Sequence, residues 1–238
     1  MRAKNSIRDE IVNLFKDDIT IAISEIFMLY DNLGIPKSTI YSRINYLLKN
    51  GIIYKVGRGL YKLGSKSVFT FNPNGQSIST YNQISEQFPY LKFCVWDISI
   101  INEFSHNILN FSVTFLDVER DAISAVYNFV RESNNKIIPA GKLYDDISQF
   151  DDFVIIRPLV TDSPLQSIEG IIVPTLEKIL VDVATDKEFL PLQGNEIATI
   201  FENAFRLYSI NSSKLLRYAS RKEKKITISK ILESLPIR

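Results

Sequence analysis

The sequence predicts an α/β (α+β) protein in two parts. A winged helix-turn-helix over residues 1–64 precedes a larger α/β domain over residues 65–238, which ends in a helical segment. Three observations predict it. Ile40, Ile44, Leu47 and Leu48 fall at i, i+4, i+7 and i+8, one apolar face of a helix. Two short β-prone runs follow at once, Ile53 to Val56 and Leu60 to Leu63, around Gly57-Arg58-Gly59, whose glycines supply positive φ for a hairpin turn. Beyond residue 68, β-prone and helical runs alternate at spacings of roughly ten to fifteen residues, the rhythm of α/β units.

Ser6 caps a first helix with Ile7, Ile11, Leu14 and Phe15 on one face, ended by Asp17-Asp18. Thr20 to Ile23 is a short strand able to pair with the wing. Ser24 caps a second helix through Leu33, with Ile26, Leu29, Tyr30 and Leu33 apolar. Gly34 breaks the chain, Pro36 suits a first helical turn, and Gly51 suits the position just past the end of the third helix. The domain boundary is expected at Gly64 to Ser67. Strands are then expected at 68–71, 92–96, 111–118, 136–138, 153–158 and 168–173. Helical runs are expected at 79–88, 98–104, 119–132 and 142–150, and the last third reads as helices at 174–186, 193–208, 211–221 and 226–235.

Composition bounds the function. A hydrophobic content of 45% with 23% charged residues belongs to a globular protein. No run approaches eighteen uninterrupted apolar residues, so no membrane span is expected, and MRAKNSIRDEIV lacks the apolar core of a signal peptide. A cytoplasmic location is the expectation. Cys94 is the single cysteine and His106 the single histidine, which excludes an intrachain disulfide and a Cys/His zinc site. No cofactor, metal site or catalytic residue is expected.

Charge is partitioned. Residues 1–64 hold ten basic and six acidic side chains, residues 65–213 ten and nineteen, and residues 214–238 eight and two. Basic ends around an acidic middle suit a protein that meets nucleic acid with one part and something else with another. In the third helix, Ser38, Thr39, Ser42, Asn45, Tyr46 and Lys49 face away from the apolar stripe. Small hydroxyls, an amide and an aromatic suit base edges and phosphates better than a solvated face rich in Glu and Lys would. The expected duplex-DNA contacts are Ser38, Thr39, Ser42, Arg43, Asn45 and Tyr46 from the helix and Arg58 from the wing. Lys37, Lys49, Lys55 and Lys62 are expected on phosphates. In the tail, Lys214, Arg217, Arg221, Lys222, Lys224 and Lys225 form a second basic cluster. It reads either as another electrostatic contact or as salt bridges back to the acidic middle.

Competing chemistry is thin. Asp145-Asp146 and Asp151-Asp152 are adjacent carboxylates, which diverge and suit solvated caps better than a magnesium site. Asp182 and Asp186 lie four apart and read as the polar face of an amphipathic helix. Gly57-Arg58-Gly59 precedes a strand rather than a helix, so it is no phosphate loop. The alternatives to a non-catalytic DNA-binding protein are a winged-helix enzyme that processes nucleic acid, whether nuclease or nucleotidyltransferase, and a plain transcriptional regulator.

A succession of strings in the second part adds a resemblance. They are Val95-Trp96-Asp97, Asn102-Glu103-Phe104, Val118-Glu119-Arg120-Asp121-Ala122 and Arg157-Pro158-Leu159-Val160-Thr161. Then come the PTLEKILVD run from Pro174 to Asp182, Gln193-Gly194-Asn195-Glu196, Tyr208-Ser209-Ile210-Asn211 and Leu215-Leu216-Arg217-Tyr218-Ala219. In this order they resemble the AbiEi-type antitoxins of bacterial type IV toxin–antitoxin systems, in the branch with a winged-helix N-terminus. The resemblance implies a protein that binds and represses its own promoter through the N-terminal domain. It implies a C-terminal domain that counteracts a cognate nucleotidyltransferase-like toxin, and it carries over no catalytic residues.

Overall fold

A computed structural model describes residues 11, 14, 20–31, 34–49, 51–64, 68–109, 112–133, 137–138 and 153–235. Most of the expected first helix, the expected helix at 142–150 and the two aspartate pairs lie outside the described residues. The chain divides into two compact units: residues 1–68 with 206–211, and residues 69–205 with 212–238.

The first unit contains β1 (Ile21–Ala22), α1 (Ile23–Asp31), α2 (Lys37–Lys49), β2 (Ile53–Gly57) and β3 (Leu60–Leu63). Its sheet runs β1-β3-β2, antiparallel throughout, with a bulge between Lys55 and Gly57. The expected apolar faces meet here: Ile26, Tyr30, Ile40, Ile44, Leu47, Ile52, Ile53 and Tyr61 are buried in one cluster. Two expectations fail. Leu29 is 52% exposed, because α1 buries only Ile26 and Tyr30. Ser24 lies inside α1 instead of capping it, since the helix starts directly after β1 and the Ile23 amide donates to Gly59 O at 2.8 Å.

Glycines end the helix and shape the wing. Gly51 (φ +65°) donates to Leu48 O, and Ile52 donates to Leu47 O, the hydrogen bonds of a left-handed C-terminal cap. In the wing only Gly59 takes positive φ, at +69°; Gly57 belongs to β2. Gly64 has no room for a side chain, because a Cβ there would stand 2.1 Å from the Gly51 carbonyl oxygen while the Gly64 amide holds Ile52 O at 2.6 Å. Gly64→Ala therefore lowers the stability of the first unit by about 1–3 kcal/mol. A thermal melt of that variant with an unchanged midpoint would contradict so close an approach.

The second unit opens with irregular chain. The expected strand at 68–71 does not form, and Phe69 and Phe71 are buried from a non-repetitive segment. Helix α3 (Gly75–Gln87) starts four residues before its expected position, because Asn74 Oδ1 accepts the Ser77 amide at 2.8 Å and caps it. Then come β4 (Phe93–Asp97), a 3₁₀ turn (Ile98–Glu103), β5 (Val113–Val118), a second 3₁₀ turn (Arg120–Ala122), α4 (Ile123–Ser133), β6 (Ile137–Ile138) and β7 (Phe153–Pro158). The sheet order is β4-β5-β7-β6. Strands β5, β7 and β6 are parallel, and β4 is antiparallel to β5.

The single strand expected at 168–173 is a hairpin, β8 (Leu165–Ile168) and β9 (Ile171–Pro174). Its turn is Glu169-Gly170, both at positive φ, and β9 packs beside β4. The remaining elements are α5 (Leu176–Thr185), a 3₁₀ segment (Lys187–Leu192), α6 (Asn195–Leu207), α7 (Ser212–Arg221) and α8 (Lys225–Ser234), with α5 packed on α7.

Candidate nucleic-acid interface

In the first unit, the cap at Gly51 and the burial of Ile40, Ile44 and Leu47 fix which way α2 faces. Ser38, Ser42, Arg43, Asn45 and Lys49 are exposed, as are Lys37 at the start of the helix and Lys55 and Arg58 on the wing. Thr39, Tyr46 and Lys62 are half-buried. Tyr46 packs against the edge of the core cluster, because its long body lies along the flank of the helix. Lys37 Nζ sits 5.5 Å from the centre of the Phe27 ring, and that ring meets Tyr41 edge-on at 5.1 Å. Tyr41 on α2 and Tyr54 on β2 are each 47% exposed, two aromatics in the winged helix that no local sequence signal singles out.

The second unit holds a different arrangement. Asp117 from β5, Arg157 from β7, Lys178 and Asp182 from α5 and Lys222 from the end of α7 converge with Asp186 in one ionic network. Arg157 Nε donates to Asp117 Oδ1 at 2.7 Å, and its terminal nitrogens reach Asp182 at 3.4 Å and Asp186 at 3.3 Å. Lys178 Nζ bonds Asp117 and, at 2.6 Å, Asp182. Lys222 Nζ bonds Asp182 at 2.7 Å and also Asp186. Tyr218 Oη donates to Asp182 at 2.9 Å, and Trp96 Nε1 to Asp117 at 3.3 Å. The guanidinium of Arg157 lies 4.5 Å from the Phe115 ring centre, within an aromatic cage completed by Trp96 and Phe189.

This corrects the reading of Asp182 as a solvent-facing residue: it is 1% exposed. Helix α5 buries Glu177, Lys178 and Asp182 along with its apolar residues, so its polar side also faces protein. Three carboxylates meet three cations there, and only Lys222 and Asp186 at the outer end keep partial exposure. Burial by itself would push Asp182 up, but Lys178, Lys222 and Arg157 outweigh it and hold the carboxyl well below the ordinary range. Asp117 goes the same way, with burial overcome by Arg157 and Lys178. Asp186 is raised, by burial and by the neighbouring Asp182 charge. Burial, then Asp117, pushes the Cys94 thiol up, which leaves it an inert core residue.

A carboxyl depressed in the folded state stabilises it above the unfolded value near 3.8 and loses that contribution as pH falls toward the folded value. Asp186 acts oppositely, but it opposes two depressed groups. Urea midpoints should therefore hold steady from neutral pH down to about 5 and fall steeply below about 4. Asp182→Asn should be less stable at neutral pH and show a shallower acid fall; an acid limb of unchanged steepness would contradict the assignment.

Part of the basic tail is paired with carboxylates. Lys222 is committed to Asp182 and Asp186, Arg221 pairs with Asp162, and Lys214 lies 3.5 Å from Glu177. All three reach carboxylates of the acidic middle, which is one of the two readings of the tail, and the Arg221–Asp162 pair stays open to solvent. Arg217, Lys224 and Lys225 are exposed and make no ion pair among the described residues. At the carboxyl ends of β5 and β7 a cleft of about 1310 Å³ opens, lined in part by Tyr81, Arg120, Leu159, Val160 and Arg221.

Residues 39–237 match a family of unknown function, DUF6577, and residues 10–64 match the C-terminal winged helix-turn-helix domain of MCM proteins. No curated protein matches the chain. An N-terminal winged helix-turn-helix suggests DNA binding. Among the described residues no helix is long and apolar enough to cross a membrane.

Proposed function

We propose, from the premise that the chain belongs to the DUF6577 family of unknown function, that it is a DNA-binding antitoxin of the type IV kind. It represses its own operon through the winged helix. Through the second unit it counteracts a nucleotidyltransferase-like toxin, by binding it or by undoing its effect. The observation that carries the DNA-binding half is the exposed polar face of α2: Ser38, Ser42, Arg43 and Asn45 stand in solvent, with Arg58 at the wing tip. Such a helix presents donors and acceptors to a major groove while the wing arginine takes phosphate or a narrow minor groove.

The antitoxin half rests on the resemblance in the second unit. Its strings supply Trp96, Arg157, Lys178, Asp182 and Tyr218, part of the buried network and its hydrogen-bond partners; Asp117, Asp186 and Lys222 lie outside them. The role is non-catalytic, in keeping with a network whose charges are matched by partners instead of being directed at a substrate. A two-gene test applies. Co-expression with a nucleotidyltransferase-like toxin encoded next to its gene is expected to restore growth, and a reporter behind its own promoter should be repressed. Growth arrest unrelieved by the protein would overturn the antitoxin reading, and an unrepressed reporter would overturn autorepression.

A further inference from the structure

The cleft at the carboxyl ends of β5 and β7 sits where the chain parts in two directions. Strand β5 leads through α4 to β6, on the far side of β7. Strand β7 leads instead to the β8–β9 hairpin, which lies beside β4. The chain leaving these two neighbouring strands, residues 119–122 after β5 and 159–163 after β7, supplies much of the cleft's lining.

The lining is mixed. Leu159, Val160 and Tyr81 are its apolar part, and the Tyr81 ring is held against Phe93 with centroids 4.7 Å apart, so the aromatic is half-buried and fixed. The lining also carries Arg120, which is exposed and makes no ion pair among the described residues, and Arg221. Arg221 pairs with Asp162, but the two are 54% and 56% exposed, and a pair so wet holds its guanidinium weakly. Lys222 lines the cleft too, yet it is committed to the buried network.

Acidic side chains share the lining: Glu119, Asp121 and Glu223. A bare anion therefore meets little net positive field, and affinity has to come from fork-shaped arginine contacts joined to an apolar surface. The cleft volume exceeds the roughly 300–1,000 Å³ of a typical small-molecule pocket, so a ligand of nucleotide size would fit with one side open.

We propose that this cleft binds a phosphorylated ligand of nucleotide size, with phosphate on Arg120 and Arg221 and a planar base against the Tyr81 ring. The site lies wholly within the second unit and is independent of the DNA-reading assignment.

Calorimetric titration of the full chain tests it, using ATP, GTP, CTP and UTP, and then adenosine and inorganic phosphate. At least one triphosphate should bind, and more tightly than either adenosine or phosphate. Arg120→Ala and Arg221→Ala should each weaken it about tenfold, the usual loss for a charge-assisted contact. Both side chains are exposed, so the variants keep their fold, which circular dichroism verifies. Tyr81→Ala should weaken the nucleotide and leave inorganic phosphate unchanged. Absence of heat with all four triphosphates would overturn the proposal, as would phosphate or adenosine binding as tightly as the best nucleotide. Arg58→Ala should leave the affinity untouched; a fall there would place the ligand on the winged helix and overturn the site while sparing the DNA-binding reading.

Discussion

Replacing Lys178 with methionine should destabilise the second unit by about 3–5 kcal/mol, the usual cost of breaking a buried ion pair from one side. Methionine fills most of the space of the lysine stem, so the loss measures charge more than packing. Without the ammonium, Asp117 and Asp182 are left facing each other in the interior, with Arg157 alone between them. Asp182 keeps Lys222 and the Tyr218 hydroxyl, whereas Asp117 keeps only Arg157 and the Trp96 indole as strong partners. The damage should therefore fall on the sheet through β5 before it reaches α7. Denaturation followed by tryptophan fluorescence reads this directly, since Trp96 is the single tryptophan and touches the network. A midpoint within about 0.5 kcal/mol of the parent would mean that Lys178 is dispensable and that the network is not what holds α5 on the sheet.

The second large effect belongs to the first unit. A Ser42→Ala, Asn45→Ala, Arg58→Ala triple variant should bind promoter DNA at least a hundredfold more weakly, since a good base contact contributes roughly 1–3 kcal/mol and a wing arginine adds a phosphate or minor-groove contact. All three side chains are exposed and none belongs to the core cluster, so the loss arises without unfolding. Lys37→Ala should act differently. It should weaken all duplexes alike and reduce the salt slope by about one, as expected of a residue that positions without specifying.

The winged helix was legible because its signals are local. The i, i+4, i+7 spacing of Ile40, Ile44 and Leu47, the cap at Gly51 and the Arg58-Gly59 turn are all set within a few residues. Leu29 escaped because periodicity names an apolar face but not whether anything covers it. The β8–β9 hairpin reads as one strand because the first left-handed position of its turn is Glu169, a residue that rarely adopts it, which leaves Gly170 as a lone turn signal inside a β-prone run.

The buried network was illegible for a deeper reason. Lys178 and Asp182, four apart, look like a surface pair on an amphipathic helix. Their burial depends on Asp117 and Arg157, which stand 61 and 25 positions away from them in the chain and are brought together only by the parallel pairing of β5 with β7. The same pairing creates the cleft, whose walls come from segments that share no motif.

The most direct test of the DNA-reading claim is fluorescence anisotropy of the full chain on two labelled duplexes of equal length, its own promoter and a scrambled copy, at physiological salt. The parent protein should prefer the promoter by at least tenfold, and the Ser42, Asn45, Arg58 triple variant should lose that preference while keeping its fold. A parent protein that binds neither duplex, or a triple variant that still discriminates between them, would contradict the claim.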